Sequence, residues 1–347
     1  MSELIPMKRL PSAARIAVFL ASAGCGGNEF AAGSPDAASS GVTADQACSD
    51  SAHLRCEQIK KCSQAEVIDT YGSEGACETQ LKLNCINSLA APNTGSTPET
   101  VEACANAYPS VSCDALLDDQ PPTACLQAAG TRASGQQCGS PGQCQTGFCA
   151  IVPGSLCGTC APVPQRGDSC AVLTTCGQLL FCDSTNQICT GFAAQGSQCN
   201  KTQPCGAGLS CVGATTTTFG TCQPAVETAG ATCDPQTKTG AGCDRNQLLT
   251  CNSVSKQCES VQLVGAGQSC GTVNDQAVIC SGAGTCVAVD AGAPDGGTSE
   301  ICVAAASDGG PCDLVQGPFC LNPERCVLTT ASATAGVCQF SDPSQCQ

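Results

Sequence analysis

The sequence predicts a small disulfide-rich fold: a short helical bundle followed by an extended array of small two-disulfide hairpin repeats, with little regular secondary structure. Three observations carry that expectation. Cysteine supplies 35 of the 347 residues, whereas Leu, Ile, Val and Phe together supply 59 and tryptophan is absent. So few large apolar groups, at roughly 25 cal/mol per Å² buried, cannot offset the ordering of a chain this long, and cross-links must supply the difference. The cysteines also change texture along the chain, being irregular up to about residue 130 and repeating from about 135. Finally, disulfides persist in an oxidising compartment, which excludes the cytosolic Rossmann and barrel folds of metabolism.

Residues 1–24 read as a signal peptide, with Lys8, Arg9 and Arg15 as the basic region, 16–20 as the apolar run and 21–24 as a small-residue stretch. The apolar segment is too short to span about 30 Å of hydrocarbon, and no later stretch approaches that length. Two cleavage readings stand side by side. Ala21 and Ala23 suit an ordinary signal peptidase that would leave Gly24 first. Ser22, Ala23, Gly24 and Cys25 instead resemble a bacterial lipoprotein box, in which Cys25 is acylated, although Ser22 stands where Leu is usual. Parity favours lipidation at Cys25: without it 34 cysteines remain, an even number that can close 17 bridges. Gly26 after the cysteine points to an outer-membrane or cell-surface address under lipoprotein sorting. Residues 25–44, rich in Gly, Ala, Ser and Pro, read as a flexible tether.

Residues 45–130 carry Cys48, Cys56, Cys62, Cys77, Cys85, Cys104, Cys113 and Cys125 and have a helical texture. Asp45 can cap a helix that aligns Cys48, Ala52, Cys56 and Ile59. From about Ser73, Cys77, Leu81, Cys85 and Leu89 follow at steps of four and form one stripe. Thr97, Pro98 and Glu99 make a third helix start. Cys77 and Cys85 lie about 12 Å apart along a continuous helix, so their partners must sit on other helices. Eight cysteines allow 105 pairings, and spacing does not choose among them. His53, the sole histidine, reads as a partly exposed helical residue.

Residues 135–347 hold six repeats, each opened by a glycine three residues before a cysteine: Gly135 and Cys138, Gly167 and Cys170, Gly196 and Cys199, Gly230 and Cys233, Gly267 and Cys270, Gly309 and Cys312. The first repeat continues with Cys144, Cys149 and Cys157, leaving Cys160 additional. The others continue with Cys176, Cys182 and Cys189; Cys205, Cys211 and Cys222; Cys243, Cys251 and Cys258; Cys280, Cys286 and Cys302; and Cys320, Cys326 and Cys338. Cys346 follows them. Four cysteines in so few residues make two bridges over about two apolar side chains, each bridge stabilising by about 2–4 kcal/mol. The glycine permits a turn that a Cβ would hinder. Turn residues and a hydrophobe before the third cysteine, as at Gly147 and Phe148 or Gly208 and Leu209, suit a hairpin too short to stand without the bridges. The inserts 213–220 and 288–300 read as mobile loops.

The cadence of Gly196, Cys199, Cys205, Gly208, Leu209 and Cys211 resembles the Dickkopf N-terminal cysteine-rich domain, although repeats four to six lengthen the first gap. The whole arrangement, from the run ending in Cys25 through the eight-cysteine segment to the repeats, resembles the cysteine-rich lipoproteins of myxobacteria. The resemblance implies architecture; the signalling activity of Dickkopf proteins is not carried by these residues.

Cys157 and Cys160 resemble the Cys-x-x-Cys of thiol-disulfide oxidoreductases, but Pro162 and Pro164 leave no helix N-terminus to lower a thiol pKa, so structural half-cystines are expected. A single histidine forbids a His-dependent triad or a three-His metal site. Asp118 with Asp119, and Asp290 with Asp295, read as a helix end and as linker rather than as carboxylate pairs or a calcium loop. No catalytic residue, metal or cofactor is expected. The net charge of −15 repels nucleic acid and anionic headgroups. The expectation is therefore a non-enzymatic, surface-anchored lipoprotein. It would meet the membrane through its lipid alone and bind an unknown protein or glycan at the cell surface, or serve the cell envelope. A secreted inhibitor or ligand acting through a repeat loop is the alternative, with an oxidoreductase using Cys157 and Cys160 a third.

Overall fold

The computed structural model describes residues 41–346 apart from 119, 127, 174, 274–275, 291–297 and 331. The expected signal peptide, Cys25 and nearly all of the tether lie outside the described residues. Two parts follow, a helical bundle and six hairpin repeats, with 17 bridges pairing every cysteine from Cys48 to Cys346.

The bundle contains α1 (Ala44–Cys62), α2 (Gln64–Tyr71), α3 (Glu74–Ala90), α4 (Pro98–Ala107) and α5 (Cys113–Leu117). Each start has a hydroxyl cap: Thr43, Ser63, Ser73, Thr97 and Ser112 accept from backbone N–H groups of the first turn. Thr43 rather than Asp45 caps α1, and Asp45 lies in its first turn, where it complements the dipole. Cys48–Cys85 and Cys56–Cys77 pin α1 against α3. The eight-residue step on each helix runs in opposite directions, so two bridges about 12 Å apart fix an antiparallel pair. Cys62–Cys113 ties α1 to α5, and Cys104–Cys125 ties α4 to the 3-10 turn Thr123–Cys125. Ile59, Val67, Leu81, Tyr108 and Leu116 fill the remaining core.

The repeats share one construction. The third and fourth cysteines face each other across an antiparallel ladder in all six: Cys149 and Cys160, Cys182 and Cys189, Cys211 and Cys222, Cys251 and Cys258, Cys286 and Cys302, Cys326 and Cys338. They do not bond each other. The first cysteine bonds the third and the second bonds the fourth, so two bridges cross beneath one hairpin. Each opening glycine adopts φ between 77° and 91°, and a Cβ there would meet nothing within 4 Å. The demand is thus conformational, not steric. In that conformation the glycine N–H donates to the carbonyl of the fourth cysteine at 2.7–2.8 Å, and the fourth cysteine's N–H returns a bond to the residue after the glycine. A second strap runs parallel to the second cysteine, as in Ala193 with Cys205, Val226 with Cys243 and Ala306 with Cys320.

The first repeat corrects the cysteine assignment. Its fourth cysteine is Cys160, which lies opposite Cys149 and bonds Cys144; Cys157 precedes the strand Gly158–Cys160 and bonds Cys346. The array is also closed rather than extended, because that bridge joins residues 189 apart in sequence. Four repeats dock on the bundle. Gly95 donates to Gly142 of the first repeat, Ala207 of the third donates to the Asp118 carboxylate, Gln247 of the fourth donates to the Cys62 carbonyl, and Gly282 of the fifth donates to Ile68. Insert 288–300 is not wholly loop: strands Thr285–Asp290 and Thr298–Val303 pair through it, leaving only 291–297 outside the described residues. In insert 213–220, Thr215 donates to the Thr218 carbonyl and closes a turn.

Two glycine substitutions separate conformational from steric cost. Gly230→Ala places an L side chain at φ 81° in open space and is expected to cost about 1–2 kcal/mol. Gly220→Ala drives its Cβ into the Val212 carbonyl and is expected to cost more, because the ladder must part. Amide exchange in the oxidised protein, resolved repeat by repeat, checks the order. Equal protection losses in repeats three and four would refute it.

Candidate functional site

The most constructed place in the molecule is the joint where the first repeat meets the bundle, the sixth repeat and the segment 339–346. Gln143 lies at its centre, 0% exposed. Its carboxamide oxygen accepts from Gly139 (2.7 Å) and Ser140 (3.1 Å), and its amide nitrogen donates to Pro92 (2.9 Å) and Pro343 (3.4 Å). One side chain thereby satisfies donors and acceptors from three segments, which is the condition for burying a carboxamide. Sequence reading passed over Gln143, since a lone Gln carries no motif.

Two arginines flank it. Arg132 donates to the carbonyls of Gln137 and Cys346, and Arg325 donates to Leu156 (3.2 Å) and Gly139 (3.3 Å). Arg325 forms no ion pair among the described residues, and burial pushes its pKa down to about 10, which leaves it charged at neutral pH. Both guanidiniums serve backbone carbonyls, several of which one fork of five N–H donors can reach at once. Cys157–Cys346 closes the joint covalently. On the chain-entropy account a loop of about 190 residues gives about 5 kcal/mol of stabilisation.

Cys157 and Cys160 are therefore half-cystines of two different bridges, and the Cys-x-x-Cys run contains no disulfide of its own. Within repeats, groups such as Cys138, Cys144 and Cys149 hold their sulfurs within 4.8 Å of one another. Such triads could ligate a soft cation only as thiolates, and all of them are bridged. His53 is exposed on α1 and pairs with Glu78 at 2.7 Å. Asp118 caps the end of α5, as expected; Asp119 and Asp295 lie outside the described residues.

A feature missed in the sequence is the Asp or Asn directly after a repeat cysteine. Asp183, Asn200, Asp234, Asp244, Asn252 and Asp313 each accept from backbone N–H groups two or more residues on. They build Asx turns that reverse the chain without regular structure. Asp234 and Asp313 have pKa values lowered chiefly by those backbone bonds, from Thr239 and Gln236 and from Gln316 and Val315. Four of the 29 acidic residues, Asp183, Asp234, Asp244 and Asp313, thus serve turn chemistry. Arg55, Leu81, Ser88, Thr100, Val101 and Leu126 line a cavity of ≈ 90 Å³ in the bundle. The second repeat exposes Val172, Leu179, Ile188 and Phe192, with the Phe181 and Phe192 rings 5.0 Å apart.

No protein-family model, curated protein or solved structure matches the chain.

Gln143→Leu keeps volume but removes four hydrogen bonds, leaving buried Gly139, Ser140 and Pro343 groups unpaired. A loss of about 2–4 kcal/mol is expected, read as earlier proteolysis at the joint. The His53 pKa is raised above 6.5, first by its hydrogen bond to Glu78. The pair therefore adds stability that is complete below about pH 6.5 and lost as pH rises through the folded value. An NMR titration of the sole histidine should give a midpoint above 6.5 that falls in Glu78→Gln.

Proposed function

We propose that this chain is a non-enzymatic, surface-anchored, disulfide-rich lipoprotein that binds a protein or glycan at the cell surface or contributes to the cell envelope. The observation that carries the reading is the complete pairing of cysteines from Cys48 to Cys346. That pairing leaves Cys25 no partner within the chain, which supports a modified rather than a bridged residue 25. The run Ser22 to Cys25 supplies the lipobox-like context, and the whole arrangement of that run, the eight-cysteine segment and the repeats is similar to myxobacterial cysteine-rich lipoproteins. The similarity of 196–211 to the Dickkopf cysteine-rich domain adds an architecture suited to presenting loops.

Bridges in this number persist only in oxidising surroundings, so the chain is extracytoplasmic. Among the described residues no helix is long and apolar enough to cross a membrane, so attachment in this reading falls to the lipid. A binding role draws support from the exposed apolar side chains of the second repeat, Val172, Leu179, Ile188 and Phe192. The same side chains favour the alternative, a released ligand or inhibitor working through one repeat.

Intact mass and fractionation separate the two. The anchored reading expects a mature chain beginning at Cys25, heavier by its acyl groups, that partitions with membranes, while Cys25→Ala moves to the soluble fraction with its 17 bridges unchanged. A lipid-free native chain beginning at Gly24 would sink the anchor and leave the released ligand.

A further inference from the structure

We infer that the Cys157–Cys346 bridge is a redox-separable latch, which a dithiol reductant opens ahead of the other bridges, converting the closed array into an open one. The inference is independent of how the chain is anchored.

Its basis is topological. The other 16 bridges close sequence separations of 11 to 51 residues, whereas this one closes 189. Inside a repeat, no bridge acts alone. When Cys199–Cys211 is cut, Cys205–Cys222 still crosses beneath the same hairpin, Cys211 stays opposite Cys222 in the ladder, and Gly196 stays bonded to Cys222. The separated sulfurs remain neighbours, their effective concentration stays high, and the bridge closes again. The same holds for Cys48–Cys85 and Cys56–Cys77, which back each other across α1 and α3. Cys104–Cys125 is embedded against buried Tyr108, and Cys62–Cys113 is backed by Gln58, whose amide donates to Val111 at 2.6 Å.

Cys157–Cys346 has no second bridge and no ladder beside it, only the hydrogen bonds of the joint, from Arg132 to Cys346, Gln143 to Pro343 and Arg325 to Leu156 and Gly139. Cys157 stands outside the sulfur cluster of its own repeat, which comprises Cys138, Cys144, Cys149 and Cys160. No second bridge spans the joint, and the segment 339–346 is held there through the backbone carbonyls of Pro343 and Cys346. Cys157 is half-buried while Cys346 is buried, so an incoming thiolate reaches the Cys157 side of the bridge first.

The exchange balances with the dithiol as the stated reductant. Its thiolate attacks Sγ of Cys157, the Cys157–Cys346 bond breaks, and Cys346 leaves as a thiolate that takes up a proton. The second thiol of the reagent then displaces Cys157, giving a cyclic disulfide of the reagent and two protein thiols. The two sulfurs, which no ladder holds opposite each other, part with the segment 339–346. Gln143 and Arg132, satisfied in the closed state partly by that segment, become exposed.

The test treats the native oxidised protein with graded dithiothreitol, traps thiols by alkylation and locates them by peptide mass spectrometry. The latch expects Cys157 and Cys346 to be alkylated first, about tenfold or more faster than any other pair, with the remaining bridges intact. Another pair opening first, or all bridges opening together, would overturn it. The Cys157→Ser, Cys346→Ser double variant reads the second half of the inference. It should keep its helical circular dichroism and 16 bridges while gaining hydrodynamic radius, and an unchanged radius would refute opening. Should the variant fail to fold, the alkylation order in the native protein still decides the first half.

Discussion

Each repeat depends on one exchange of backbone hydrogen bonds between its opening glycine and its fourth cysteine. The glycine's positive φ turns its N–H toward the carbonyl of that cysteine, and the returned bond fixes the first strand segment beside the far strand of the hairpin. Only then do the first and second cysteines lie under the third and fourth, so that the bridges cross. Neither component suffices alone. A two-stranded hairpin this short is unstable in water, and two disulfides without the clasp would leave several pairings open to the same four cysteines. The clasp selects the pairing and the bridges then hold the clasp.

That division of labour explains what was legible in the sequence. Helix starts at Ser73 and Thr97 follow from local chemistry and lie where the hydroxyls and Pro98 put them. The six opening glycines are local too. Two local signals were passed over, and the rest was non-local. Counting cysteines in order gave Cys157 to the first repeat, yet the spacing to the next opening glycine, seven to nine residues in repeats two to five, selects Cys160, which lies seven before Gly167. The Asx turns after repeat cysteines were equally visible as Cys-Asp and Cys-Asn pairs. Closure of the array was not, because the partner of Cys157 lies 189 residues away and no local pattern encodes such a contact. Gln143 was hidden for the same reason, its role existing only once three segments meet around it.

The bundle and the repeats also solve different problems. In the bundle, apolar side chains such as Ile59, Val67 and Tyr108 bury against bridges that tie one helix to the next. A repeat has little beyond sulfur inside it: the first clusters four cysteines with Ile151, and the fifth clusters its own with Val264. Solenoids of helical or leucine-rich repeats gain their order by stacking apolar faces on neighbours. A unit whose buried apolar atoms are consumed within its own bridges has little such face to stack on a neighbour.

The order between repeats must then come from elsewhere, and the structure draws it from polar bonds to a common support and between repeats, as where Gly213 donates to Thr237 and Arg325 to Leu156. Main-chain groups of Gly282, Ala283 and Gly142 pair with backbone of the bundle, and side chains of Asp118, Gln143 and Gln247 add to them. Each such bond contributes about 1 kcal/mol, too little individually to hold a repeat against its own rotational freedom. Closing the array through one distant bridge changes that balance, because every repeat between Cys157 and Cys346 then loses the option of swinging away without straining the rest. Weak docking bonds become sufficient when the chain they act on is a loop. The helical bundle thus acts as the surface around which a covalent loop is drawn, and turns such as that at 215–218 are carried outward without bearing on the stability of the whole.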